Sequence, residues 1–190
     1  MSDDSDHAPP IPTQTGGPLA FLRRMPLAVR MLVYGTSFLA LILVLLPWLA
    51  YRLDVYVPAV HVELGWFRAV GAVFGCVCLV IYIRTSYVLT SRGRGAYVEF
   101  DPPTEFVATG PYRWVRNPIA ASLMGAALGE AIAFSSTGML LTFLVGAVLG
   151  HLQVVRVEEP LLRRRFGQRY EDYLSRVPRW IPKPPDKEAR

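Results

Sequence analysis

The chain has 190 residues, enough for one domain, with 52% hydrophobic residues and a net charge of +5. Its mean hydropathy of +0.30 is high for a soluble protein and typical of a small polytopic membrane protein. The basic residues cluster at the ends of apolar runs, which suits an anionic membrane face. No basic helix with interleaved aromatics lies outside those runs, so the pattern argues against nucleic acid as a partner.

Residues 1–18 are acidic, then rich in Pro, Thr and Gly, and cannot bury a core. They read as a disordered segment, and Asp3, Asp4 and Asp6 stand where a signal peptide would be basic. Residues 19–182 read as the membrane domain and 183–190 as a flexible tail. The first span is expected at about 29–51, with Pro47, Trp48 and Tyr51 marking an interfacial end. The second is expected at about 66–89 and contains Gly71-x-x-x-Gly75, a spacing that lets helices approach closely. Cys76 and Cys78 lie in this run, two apart and on different faces, with no further His or Cys nearby to complete a metal site. A polar connector follows. Pro118 then opens a third apolar helix, 118–134, well suited to a first turn because its missing N–H costs nothing there. The tight turn Ser135-Ser136-Thr137-Gly138 leads to a fourth helix at 139–157. Gly125-x-x-x-Gly129 and Gly146-x-x-x-Gly150 suggest that these last two helices pack closely on each other. Pro160 is expected to interrupt the fourth helix, and an amphipathic helix to restart over about 161–177. The fold class is therefore all-α, with about four transmembrane helices and a cytoplasmic C-terminal amphipathic helix. Arg and Lys counts place both termini and the 84–117 connector on the cytoplasmic side.

Antiparallel third and fourth helices bring two polar groups to one end. One is Gly110-Pro111-Tyr112-Arg113-Trp114-Val115-Arg116-Asn117-Pro118; the other is Glu158-Glu159. Arg113, Arg116, Asn117 and helix-start amides attract carboxylate or phosphate, and paired carboxylates attract ammonium or ribose hydroxyls. A zwitterion such as S-adenosylmethionine carries both groups. The same charges are also explained as interfacial residues that pair with each other. His151 lies seven residues before Glu158, two helical turns, and is expected to line the site or to bond a neighbouring helix. Glu130 is the acidic residue within the third span, either functional or reaching water at the outer end.

These residues, with Glu158-Glu159-Pro160-x-Leu162, Phe166-Gly167-x-x-Tyr170-x-x-Tyr173 and Val177-Pro178-Arg179-x-Ile181-Pro182, resemble the isoprenylcysteine carboxyl methyltransferase family, which includes phospholipid methyltransferases. The resemblance covers about residues 100–182. It implies an integral-membrane enzyme, as in a bacterial inner membrane, that uses S-adenosylmethionine to methylate an amphiphilic or lipid acceptor. Arg116, Asn117 and Glu159 would be its catalytic residues. Gly110, Pro111, Tyr112, Arg113, Pro118, His151 and Glu158 would join those three in binding cofactor, and Arg179 and Tyr173 would meet the acceptor. Asn117 stands where the family usually has His, and Ala120 where it often has Tyr. Asn cannot titrate near neutral pH, so no general base is carried over to it. Two other readings are a membrane reductase of the steroid 5α-reductase type, which would bind NADPH, and a small non-enzymatic scaffold or transporter subunit. The sequence leaves the acceptor and the oligomeric state open.

Overall fold

A computed structural model describes residues 25–54, 56, 63–93 and 104–185. The expectations for residues 1–18, for the connector at 94–103 and for the end of the tail at 186–190 lie outside these. Among the described residues every regular element is helical. The long uncharged runs dictate this, because a segment in hydrocarbon must satisfy its own backbone groups and a helix does so internally.

The first span is one run made of α1 (Leu27–Ala40), a π-helical turn (Leu41–Leu45) and α2 (Leu46–Asp54). The second is α3 (Phe67–Gly93). The third, α4 (Pro118–Phe134), has the expected bounds. The fourth is α5 (Thr137–Gln153), which continues through a π-helical turn (Val154–Glu158) into α6 (Glu159–Phe166); α7 (Gln168–Arg176) follows. Three runs, Leu27–Arg52, Phe67–Gly93 and Thr137–Phe166, are long and apolar enough to cross a membrane. At 17 residues α4 is shorter, reaching about 26 Å against a hydrocarbon core of about 30 Å. Ser122, Ala126, Gly129 and Ala131 of α4 are buried, so protein covers much of its surface.

One expectation about proline is corrected: Pro160 does not interrupt the fourth span. Pro47 likewise lies within a continuous run, whose apolar stretch ends at Arg52, close to the expected 51. Each is the second residue of an α-helix entered directly from a π-helical turn. A proline ring clashes with the carbonyl four residues back and donates no hydrogen bond. The wider π turn re-spaces the ladder there, and the helix runs on. The break comes instead at Gly167, whose φ of +50° is left-handed and suits glycine. The expected 161–177 helix is therefore two pieces, α6 and α7.

The glycine pairs also pack differently from expectation. Gly125 and Gly129 of α4 face α3, not α5. A Cβ on Gly129 would lie 2.6 Å from the Gly75 Cα, and one on Gly125 would lie 2.5 Å from the Cys78 Sγ. A Cβ on Gly71 would strike Ile132 of α4 at 2.6 Å. The two Gly-x-x-x-Gly motifs thus interlock α3 with α4. Gly146 meets nothing within 4 Å, and a Cβ on Gly150 would reach only the flexible tip of Met124.

At the far end from the polar motifs, Asp54 fastens the first span to the start of α5. Its Oδ1 accepts from the Gly138 N–H at 2.7 Å, and the Ser136 hydroxyl donates to its Oδ2. Ser136 Oγ in turn accepts from the Met139 N–H at 3.0 Å, so side chains satisfy the orphan amides of the helix start. Arg68 Nε donates to the Ala133 carbonyl at 2.9 Å, a cation at the C-terminal end of α4.

Gly129→Ala should destabilise the detergent-solubilised protein by roughly 1–3 kcal/mol, the usual scale of overpacking. Gly146→Ala should change stability by no more than about 0.5 kcal/mol. Thermal unfolding of the two variants side by side checks this, and equal effects would contradict the interlock.

Candidate functional site

The connector enters through Thr109 and a 3-10 turn, Gly110–Arg113. Gly110 has φ +61°, the left-handed region, and the ring of Pro111 fixes its own φ at a value that the turn uses. A turn at Trp114 and a bend at Arg116 then lead to Asn117 and into α4. The C-terminal segment lies against it. The Arg116 N–H donates to the Pro178 carbonyl at 2.8 Å, and the Lys183 N–H to the Trp114 carbonyl at 2.9 Å. Asn117 Nδ2 donates to the Arg179 carbonyl at 3.3 Å. The Tyr173 hydroxyl of α7 donates to the Tyr112 carbonyl at 2.7 Å. The motif before α4 and the motif after α7 are therefore stitched together by backbone and side chain.

Glu159 sits at the centre and is 2% exposed. Arg179 grips it as a fork, with Nε 2.7 Å from Oε1 and Nη2 3.0 Å from Oε2. Arg116 Nη1 donates to the same Oε1 at 3.2 Å, and Arg163 Nη1 stands 3.9 Å from Oε2. Arg163 also pairs with Glu171 at 2.9 Å. A buried carboxylate is costly without partners and tolerable when charge-paired and hydrogen-bonded on both oxygens. The bond to Glu159 holds the Arg179 guanidinium above its usual range.

Beside this cluster lies a cavity of about 220 Å³. Arg116, Asn117 and Pro118 line it, with Tyr112, Tyr170 and Tyr173 as aromatic wall and Glu158 contributing a carboxylate. Its remaining wall is largely apolar and includes Leu89 of α3 and Leu161 of α6. It is smaller than the roughly 300–1,000 Å³ of ligand pockets in general. Arg116 Nε is buried and has no hydrogen-bond partner.

Burial pushes the Tyr112 and Tyr173 phenols well above their usual range, and raises Tyr170 to about 12. Each is aided by a neighbouring negative or tyrosine group, Glu159 in the case of Tyr170.

The sequence placed Arg116, Asn117 and the Glu158-Glu159 pair in one site, and these residues do converge. The two acids separate, however: Glu159 is buried in the arginine cluster, whereas Glu158 is exposed and lines the cavity. Arg179 is bound to Glu159 instead of standing free for an acceptor. Gly110, Pro111 and Arg113 shape the turn and do not line the cavity. His151 is not among its lining residues either; it is exposed, and its Nδ1 accepts from Trp180 Nε1 at 3.1 Å. The two-turn spacing fails because the π turn Val154–Glu158 lies between His151 and Glu159 and shifts the helix phase. Phe106 was missed. Its ring lies 5.3 Å from that of Tyr173 and 5.2 Å from that of Phe166, and it lines the cavity. The signal was its place just before the motif, in Glu105-Phe106-Val107.

An all-helical membrane protein with a charged, aromatic-walled site at one end of its bundle is the class that the fold defines. A family model of phospholipid methyltransferases matches residues 66–169, from the start of α3 to the start of α7. The chain belongs to the phospholipid methyltransferase family. It is also similar to the nickel-cobalt-cadmium resistance protein NccN of Alcaligenes xylosoxydans xylosoxydans, 25% identical over 164 residues that span 86% of this chain and 68% of that protein.

Glu159→Gln should lower stability by about 3–5 kcal/mol, since it leaves two guanidinium groups without their counter-charge. Tyr173→Phe should lose about 1–3 kcal/mol by orphaning the Tyr112 carbonyl. Unfolding curves in detergent check both, and wild-type stability of Glu159→Gln would remove the carboxylate from the centre of the site.

The raised phenols also set a pH dependence. Unfolded tyrosines ionise near pH 10, whereas Tyr170 does so at about 12 in the folded protein. Stability should therefore be full below pH ~10 and fall as pH rises towards 12, where the unfolded state loses protons first. A flat stability profile through that window, with tyrosinate absorbance rising at once for every tyrosine, would contradict their burial.

Proposed function

We propose that this family member transfers a methyl group from S-adenosylmethionine to an amphiphilic acceptor, at the cytoplasmic end of the last two spans. The observation that carries the reading is the charge layout around the cavity. One carboxylate, Glu159, faces two guanidinium groups fully and a third in part, which leaves a cationic excess on the floor. The unpartnered Arg116 Nε is a donor at that floor, beside Asn117 and the start of α4. A ligand carboxylate suits this end. Glu158 supplies the opposite charge at the same cavity, where a ligand ammonium or ribose hydroxyl suits it. Tyr112, Tyr170 and Phe106 offer flat apolar surface for a base.

When bound, S-adenosylmethionine supplies a methyl already activated on sulfonium. The chain's own residues then bind, orient and exclude water, which suffices for an in-line displacement. Glu159 acts as a positioning residue, since both of its oxygens are engaged by arginine. Asn117 does not move a proton. The apolar wall formed by Leu89 and Leu161 suits an acceptor that arrives from the membrane, such as a lipid amine, a prenylcysteine carboxylate or a thiol. The Arg-rich end, carrying Arg84, Arg92, Arg113, Arg116 and the arginines of α6 and α7, is the cytoplasmic one by the positive-inside rule. Among the described residues no group of three or more His, Cys, Asp or Glu is arranged to hold a metal ion.

Titration of S-adenosylmethionine into the detergent-purified protein tests the reading. Saturable binding should weaken by about ten- to 150-fold in Arg116→Gln, the loss of one charge-assisted contact. Arg116→Gln leaves the Arg179 fork on Glu159, and its unfolding curve shows that the fold persists. Binding of NADPH in place of S-adenosylmethionine would favour the reductase reading, and binding of neither would favour the scaffold.

A further inference from the structure

The helical run Thr137–Phe166 carries a second, more open cleft where its apolar stretch ends. Arg156, Val157, Pro160, Leu161 and Arg164 line it. Arg156 is the first charged residue after α5, and Arg164 lies two turns beyond it. The other arginines of this run are engaged. Arg163 pairs with Glu171 and Glu159, and the Arg165 guanidinium lies 5.4 Å from the centre of the Phe166 ring. Arg156 and Arg164 have no ion-pair, hydrogen-bond or ring partner among the described residues, and both are exposed. Val157 between them is 41% exposed and Leu161 39%. Further back along the run, Val145, Val148 and Leu149 are each 60% exposed. A cationic cleft therefore continues into an uncovered aliphatic strip on one helix.

We infer that this cleft holds the headgroup of an anionic membrane phospholipid. Two guanidinium groups on one cleft can grip a phosphodiester from both sides with paired N–H donors. The proline and aliphatic side chains between them match the glycerol and upper acyl region, and the exposed strip of α5 receives the chains. A zwitterionic headgroup would bring its ammonium towards two unneutralised cations, so the cleft selects net negative lipids. It shares Leu161 with the cavity proposed for catalysis, but its two arginines do not line that cavity, and the inference does not depend on methyl transfer.

The test is native mass spectrometry of the full chain after exchange into an equimolar mixture of phosphatidylglycerol and phosphatidylcholine. The wild type should retain phosphatidylglycerol preferentially, and the double variant Arg156→Gln/Arg164→Gln should lose about ten-fold of that preference. Both side chains are exposed, and unchanged thermal unfolding verifies the variant's fold. Arg52→Gln, which removes the same charge at the opposite end, should keep the wild-type preference. Wild-type selectivity in the double variant, or an equal loss in Arg52→Gln, would overturn the assignment. So would inorganic phosphate binding to the lipid-free protein as tightly as the lipid, which would assign the cleft to a soluble anion.

Discussion

A carboxylate with almost no access to water sits where three separate parts of this chain meet. Isolated, Glu159 would cost several kcal/mol to keep charged. Arg179 from the C-terminal segment, Arg116 from the segment before α4, and Arg163 one turn further along the helix make it tolerable. Each partner also carries its own stretch of backbone into place. Arg179 brings the Pro178 and Arg179 carbonyls to the amide of Arg116 and the side chain of Asn117. The charge cluster and the backbone stitching are thus one structure. The cavity beside it exists because those segments are held there.

The cluster is not electrically balanced, and that imbalance links the fold to function. Guanidinium exceeds carboxylate there, and the buried Arg116 Nε has no hydrogen-bond partner, which is the feature the proposed anion contact uses. Glu158, one residue away from Glu159, is exposed and lines the cavity. Adjacent helical residues diverge by about 100° around the axis. One therefore lies within the buried arginine cluster while the other lines the cavity. The sequence pair Glu158-Glu159 consists of two residues in two different surroundings.

Much of this was legible in the sequence, because apolar run length and charge punctuation follow directly from the bilayer. The bounds of α4, the convergence of Arg116 with the acidic pair, and the polar end of the bundle were all visible. Helix phase was less so. A π-helical turn before Pro47 and another before Pro160 keep both runs continuous where proline normally signals a stop. The second turn separates His151 from the cavity and leaves it with Trp180. Glycine spacing announces close approach but not the partner, so Gly125 and Gly129 read as a seam with α5 although they lock onto Gly75 and Cys78 of α3. Nor does a linear motif show which charges neutralise each other. Arg179, twenty residues after Glu159, proves to be its principal partner.

The measurement that bears most directly on the account is transfer of label from methyl-labelled S-adenosylmethionine in membranes containing the protein, compared with membranes lacking it and with membranes carrying a Glu158→Gln variant. The account predicts label in the lipid-extractable or amphiphile fraction, dependent on the protein and sharply reduced in the variant. Label that is absent from every fraction while the folded protein is present, or that is unaffected by the loss of Glu158, would contradict it.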